Sequence, residues 1–213
     1  MILHVDTLAV RRGGGTVFTG LGLSAEAGEI VGIVGKNGCG KSTLLMTIAG
    51  VLEPRDGRIL VDGASVWGTT RERARARKAL GYVPEGADPP GFLLAHELWA
   101  LCAASRGAEL PSADLSHQLG LDELRDLAIE RMSLGQKRRA CLAAALLGPP
   151  RLLVLDEPDN GLDAKRTLAL IRLVTAHAVA GGACVMATHD AALLERIGAR
   201  TFEMPEMERD SER

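Results

Sequence analysis

Residues 2–10 alternate between apolar and polar positions, and the stretch from Thr16 to Ser24 resumes after the turn Arg11-Arg12-Gly13-Gly14-Gly15. Strands on either side of a glycine turn predict a β-hairpin. The pattern then changes. Glu29 to Val34 is a short apolar run suited to a buried strand, as are the apolar residues of 151–158 and 183–188. Residues 58–61 and 80–84 predict two further strands, the first followed by Asp62-Gly63 and the second ended by Pro84. Helical spacing covers 42–50, 71–79, 93–105, 133–147, 164–180 and 191–197, and two short helices are expected within 113–128. Gly50, Pro149-Pro150 and Gly181-Gly182 stop three of these helices. An edge strand is expected at 200–204, and the charged tail from Pro205 is expected to fray.

This order predicts an α/β protein with a mostly parallel sheet, an antiparallel β subdomain at the N-terminus and a small helical subdomain inserted at about 86–131. The 213 residues are expected to form a single domain, 1–213. Aromatic residues are only 3%, so the core must come from Leu, Val, Ile and Ala. A net charge of −2 gives no electrostatic argument for nucleic acid or anionic lipid, and no nucleic-acid partner is expected. Cys39, Cys102, Cys141 and Cys184 are scattered without metal-ligand spacing and read as reduced cytosolic thiols. The N-terminus already reads as a strand, not as a signal peptide, and no apolar run is long enough to span a membrane. Membrane work would need another chain.

The strongest chemical signal is Gly35-Lys36-Asn37-Gly38-Cys39-Gly40-Lys41-Ser42, a P-loop between a strand and a helix. Glycines let successive N–H groups face a phosphate, and the helix N-terminus adds partial positive charge. Lys41 is placed to reach the β- and γ-phosphates and Ser42 to hold Mg²⁺. A second centre is Asp156-Glu157, at the carboxyl end of a buried strand. Ligands of open parallel sheets bind at such ends, so the acids and the P-loop should converge. Asp156 is expected to hold Mg²⁺ through water, and Glu157 to orient or deprotonate the attacking water. His189 ends the following strand, where a histidine either donates to a γ-phosphate or caps a turn.

Five motifs stand in one order: the P-loop, Met132-Ser133-Leu134-Gly135-Gln136, Leu155-Asp156-Glu157-Pro158, Asn160-Gly161-Leu162-Asp163 and Thr188-His189-Asp190. In this the chain resembles the nucleotide-binding domain of an ABC ATPase over nearly its whole length, and in its compactness the ATPases of small exporters of the ABC-2 or haem-exporter type. The resemblance implies an Mg-dependent ATPase whose two copies, or whose copy and a related subunit, sandwich two ATP head to tail. It implies integral membrane transporter subunits as partners and a peripheral position on the cytoplasmic face of the cell membrane. It also implies nucleotide contacts from Gly35, Asn37, Gly38, Cys39, Gly40, Lys41, Ser42 and Thr43. Ser133, Gly135, Gln136 and Asp163 would act across the dimer, with catalysis by Glu157, His189 and Lys41 and metal contacts from Ser42, Asp156 and Glu85.

Three residues depart from the family pattern. Leu134 replaces a glycine of the Ser-Gly-Gly-Gln element. Glu85 replaces a glutamine that contacts Mg²⁺, and either binds the metal or faces solvent in its loop. Arg12 stands where an aromatic residue stacks on adenine, so it either stacks as a guanidinium plane or is solvated. Leu93 to Leu101, with Trp99, is either a docking surface for a membrane subunit or the core of the helical subdomain. The competing function is a soluble, non-transport ABC ATPase acting on protein or nucleic acid, a class that carries insertions or a basic face not seen here. A third reading is a regulatory subunit with weak hydrolysis.

Overall fold

The computed structural model describes residues 1–86 and 88–205. The alternating N-terminal stretch forms the expected antiparallel hairpin, β1 (Leu3–Arg12) and β2 (Gly15–Ala25). Inward residues such as Leu3, Val5, Leu8 and Val10 are fully buried. β3 (Ile30–Val34) leaves this sheet. β4 (Asp56–Val61) and β5 (Ala64–Ser65) complete it in the order β2-β1-β4-β5. The two-residue β5 is too short to leave a periodic trace in the sequence.

The second sheet has the order β6-β7-β8-β3-β9, with β6 at Leu80–Val83, β7 at Leu152–Asp156, β8 at Ala183–Ala187 and β9 at Arg200–Glu203. All of its pairings are parallel. Every residue of β7 and β8 is buried, as continuous apolar runs require when both faces are covered. Their side chains alternate between two cores. Leu153, Leu155, Cys184 and Met186 face one, while Leu152, Val154, Val185 and Ala187 face the other. The second core is closed by the N-terminal sheet and α1 (Lys41–Ile48). The basic stretch forms α2 (Thr70–Lys78), and all of its bases except the half-buried Arg73 face solvent.

The insertion contains α3 (Ala95–Arg106) and α4 (Ala113–Leu119) and ends in a 3₁₀ turn at Ile129–Arg131, before α5 (Leu134–Leu146). The expectation of two helices within 113–128 needs correcting. Gly120, in a left-handed conformation (φ 61°), ends α4. Leu124 and Leu127 then bond only three residues back, to Leu121 and Leu124, so the segment runs as turns. Leu121 and Leu124 are buried all the same, and this apolar spacing imitates a helix. Trp99 is 5% exposed and donates its indole N–H to the Ala140 carbonyl at 3.0 Å. It belongs to the subdomain's own core, and of its stretch only Leu101, together with the preceding Phe92, is a large, strongly exposed apolar residue. α6 (Ala164–Val179) and α7 (Ala191–Arg196) cover the same face as α5. The expected edge strand is β9. The tail beyond Pro205 lies outside the described residues.

One arginine ties the insertion to the sheet. Arg106, at the end of α3, donates to the carbonyls of Ala145 (2.9 Å), Leu147 (2.7 Å), Ala144 (3.4 Å) and Leu80 (3.2 Å). It thereby caps the C-terminus of α5, whose last carbonyls have no partner within the helix. Replacing Arg106 with Ala should lower stability by about 2 kcal/mol, since hydrogen bonds from a charged group are lost and carbonyls are stranded. Urea unfolding checks this: the midpoint should fall while the slope is unchanged.

Candidate functional site

The P-loop leaves β3 and turns into α1. Its glycines are required by geometry at two points. At Gly35 (φ 149°) an added Cβ would meet the Cys39 sulfur at 2.9 Å, and at Gly40 (φ 102°) it would meet Val17 at 2.6 Å. The loop is therefore packed tightly on β2. No side chain caps the N-terminus of α1 and no acid lies in its first turn, so its free N–H groups keep their positive potential. Lys41 is 8% exposed, and its ammonium donates to the carbonyls of Gly35 (2.8 Å) and Lys36 (3.3 Å). The loop curls around its own lysine.

β7 ends beside it. Asp156 pairs in register with Ala187 of β8, and the Glu157 N–H donates to the Ala187 carbonyl at 2.8 Å. Glu157 has φ 48°, a left-handed conformation that a side chain adopts at a cost of about 1–2 kcal/mol. This turn sends its carboxylate toward His189, with Oε1 3.2 Å from the imidazole Nε2. The His189 backbone N–H also donates to Oε2 at 3.3 Å. Burial pushes the Glu157 carboxyl above the usual carboxylate range, against the pull of His189, and Asp159 and Asp156 add to the rise. Asp156 is 2% exposed, and its Oδ1 has no hydrogen-bond partner among the described residues. Burial raises its pKa too, while the Ser42 hydroxyl and the Glu85 N–H draw it back.

A cleft of about 630 Å³ joins these parts. It is lined by Asn37, Gly38, Gly40, Lys41, Ser42 and Thr43 of the P-loop region, by Glu85, Glu157 and His189, and by Arg12 to one side. Its size suits a nucleotide. The sequence prediction that P-loop and acids converge is met. Gly35 and Cys39 of the same loop are not among the residues that line the cleft.

Ser133, Gly135, Gln136 and Asp163 do not line this cleft. Ser133 caps α5: its hydroxyl accepts from the Gln136 N–H at 3.3 Å, while the Gln136 side chain accepts from the Ser133 N–H at 2.8 Å. Asp163 caps α6 by accepting from the Arg166 N–H at 2.8 Å. A Cβ at Gly135 would run into the Gly161 carbonyl, so a glycine is needed there. The departure from pattern falls one position earlier, where Leu134 rests on Gly161 and stays 50% exposed.

Two features of the site carried no signal in the sequence reading. The Thr188 hydroxyl donates to Asp159 at 2.7 Å and accepts from the Asp190 N–H at 3.0 Å, which ties the segment after Glu157 to the one holding His189. Arg138 is 1% exposed and donates to backbone at the ends of β6 and β7. A fully buried arginine inside an apolar helix looks, in sequence, like any surface cation.

A family model described as ABC transporter matches residues 18–160. Over 202 residues the chain is 32% identical to the cytochrome c biogenesis ATP-binding export protein CcmA of Nitrosococcus oceani, covering 95% of this chain and 91% of that protein. Over 190 residues it is 36% identical to the zinc import ATP-binding protein ZnuC of Cereibacter sphaeroides, covering 89% of this chain and 73% of that one. The fold matches a solved ATP-binding subunit of an ABC transporter with a TM-score of 0.88 at 26% identity, over 96% of this chain and 86% of that one. It also matches, at 22% identity and a TM-score of 0.79, a dimeric ATP-binding cassette in a post-hydrolysis state with ADP and Pi, over 95% of this chain and 94% of that one.

The buried Asp156 leads to a trade of stability against function. Its folded-state pKa is raised, so the ligand-free protein binds more protons than the unfolded chain and loses stability as pH rises through that pKa. Asp156→Asn removes the buried charge. In EDTA at pH 7–8 without nucleotide, the variant should unfold at higher temperature than wild type, by about 1 kcal/mol of added stability. Calorimetry at several pH values checks this, and the difference should shrink toward acid pH.

Proposed function

The chain belongs to the ABC transporter family as an ATP-binding, ATP-hydrolysing subunit, and we propose that it energises an exporter of the cytochrome c biogenesis type. Its 32% identity to the CcmA protein of Nitrosococcus oceani, over 95% of this chain, supports that finer reading. No helix among the described residues is long and apolar enough to cross a membrane, so integral membrane subunits are the expected partners, with this chain peripheral on the cytoplasmic face. We propose further that residues 1–213 act as one domain with the helical insertion at 86–131.

The single observation that carries the catalytic reading is the 3.2 Å contact between Glu157 and His189 at the mouth of a cleft floored by a P-loop. In the proposed mechanism the N–H groups around Gly38 and Gly40 hold the phosphates, with Asn37, Cys39 and Thr43 of the same loop and helix start supporting them. Lys41 exchanges the carbonyls of Gly35 and Lys36 for phosphate oxygens. The Glu157 carboxylate orients water and takes its proton as the water oxygen bonds to the γ-phosphorus and the bond to the β–γ bridging oxygen breaks. His189 donates to the γ-phosphate, and Arg12 lies against the base. Ser133, Gly135, Gln136 and Asp163 serve the nucleotide of a second ATP-binding subunit, since they lie away from the chain's own cleft.

The residues fit Mg²⁺. Asp156 Oδ1 is a buried acceptor with no hydrogen-bond partner among the described residues, and the same carboxylate has the Ser42 hydroxyl beside it. An Mg²⁺ ion in such a site is held by one or two carboxylates together with substrate phosphates. Ser42, Asp156 and Glu85 would hold it. When bound, it neutralises charge on the phosphates.

Two measurements test this function. Lys41→Ala should weaken ATP binding by about tenfold or more, because a charge-assisted contact to phosphate is lost. Fluorescent-nucleotide titration reads this, and unchanged affinity would remove Lys41 from the site. Purification of the tagged chain from native membranes in mild detergent should bring along a polytopic membrane protein in stoichiometric amount. A soluble partner, or recovery from the cytosol alone, would contradict the transporter assignment.

A further inference from the structure

Arg138 lies on α5 five residues after Ser133, and its side chain is buried against the ends of β6 and β7. One terminal nitrogen donates to the Pro84 carbonyl at 2.7 Å and to the Asp156 carbonyl at 3.3 Å, and the other donates to the Glu85 carbonyl at 2.8 Å. The guanidinium is 1% exposed and has Asp156, Asp159 and Glu85 as its charged neighbours. Its Nε has no hydrogen-bond partner among the described residues. Burying a cation is costly unless its donors are satisfied, so the site's geometry must supply what water would have given. Here it supplies backbone carbonyls at the carboxyl ends of two neighbouring strands, β6 and β7.

We propose that Arg138 is a positioning residue for ATP hydrolysis. It locks the start of α5, with Ser133 and Gly135, to the loop holding Glu85 and to the strand end that aims Asp156 and Glu157. This inference rests on the catalytic reading given above. The physical reason is the planar fork of the guanidinium, which makes these three bonds from fixed directions. If α5 shifts against the Pro84-Glu85 loop, both bonds to that loop break. Among the described residues the Arg138 hydrogen bonds go to Pro84, Glu85 and Asp156 and none goes to the P-loop, so nucleotide binding to the chain's own cleft is separable from alignment of the hydrolytic groups. The arginine is not a catalytic residue, because its hydrogen bonds among the described residues all go to backbone oxygens.

The test compares Arg138→Gln and Arg138→Lys with wild type by thermal melting, fluorescent-nucleotide affinity and steady-state ATP hydrolysis. In Arg138→Gln, nucleotide affinity and KM should stay within about twofold while kcat falls at least about tenfold, the signature of misplaced groups. Arg138→Lys keeps the charge but loses the fork, and should recover only part of kcat. A lowered melting temperature with unchanged kcat in folded protein would overturn the proposal, leaving a packing role only. So would a rise in KM with kcat unchanged. If Arg138→Gln does not fold, the Arg138→Lys split between kcat and KM decides in the same way. Failure of the underlying reading is distinct: wild-type protein would then neither bind nor hydrolyse ATP.

Discussion

Parallel register is the constraint on which the site depends. β7 and β8 pair so that Asp156 sits opposite Ala187, and β3 and β8 pair so that Ile33 also sits opposite Ala187. Three strands therefore end at one level, and the segments leaving them carry the P-loop, Glu157 and His189 to a common point. A shift of one residue in any pairing would exchange the side chains that face the two cores and separate these groups. The apolar residues that hold the register do no chemistry. They fix it by filling two cores, one on each face of the sheet.

Given that register, the electrostatics follow from burial. Two consecutive acids, Asp156 and Glu157, lie at 2% and 9% exposure. Each is pushed toward its neutral form by desolvation. Opposing this are the imidazole of His189, the hydroxyl of Ser42, backbone N–H groups and the Arg138 cation. The left-handed backbone at Glu157 adds a local cost. Such costs gather where function needs a group held in a fixed direction, and the rest of the fold compensates for them.

Most of this was legible in the sequence because its signals are local. The P-loop needs glycines at fixed spacing, Gly35, Gly38 and Gly40, and a lysine next to the last one. The strand ending in Asp156-Glu157 is a continuous apolar run. The hairpin of β1 and β2 shows as alternation around Gly13-Gly14. What escaped is non-local. Arg138 meets Pro84, Glu85 and Asp156 through side-chain-to-backbone bonds that span 54, 53 and 18 residues and leave no spacing rule. Thr188 meets Asp159 across 29 residues. For Trp99 the core reading outweighed the docking one, but the bond that fixes it in the core, to Ala140, spans 41 residues. The segment 121–127 mimicked a helix because buried leucines three residues apart satisfy turns as well as helices.

The division of labour in the chain is therefore between a binding half and an aligning half. Glu157 belongs to both the cleft and the strand end, so it carries the central claim. The most direct measurement is phosphate release by Glu157→Gln in Mg-ATP, combined with sedimentation of the same sample. Hydrolysis should fall by about 100-fold or more, the range expected when a positioned acid–base group is lost, while ATP is retained and a dimer accumulates. Phosphate release at the wild-type rate would contradict the assignment of Glu157 and the mechanism built on it.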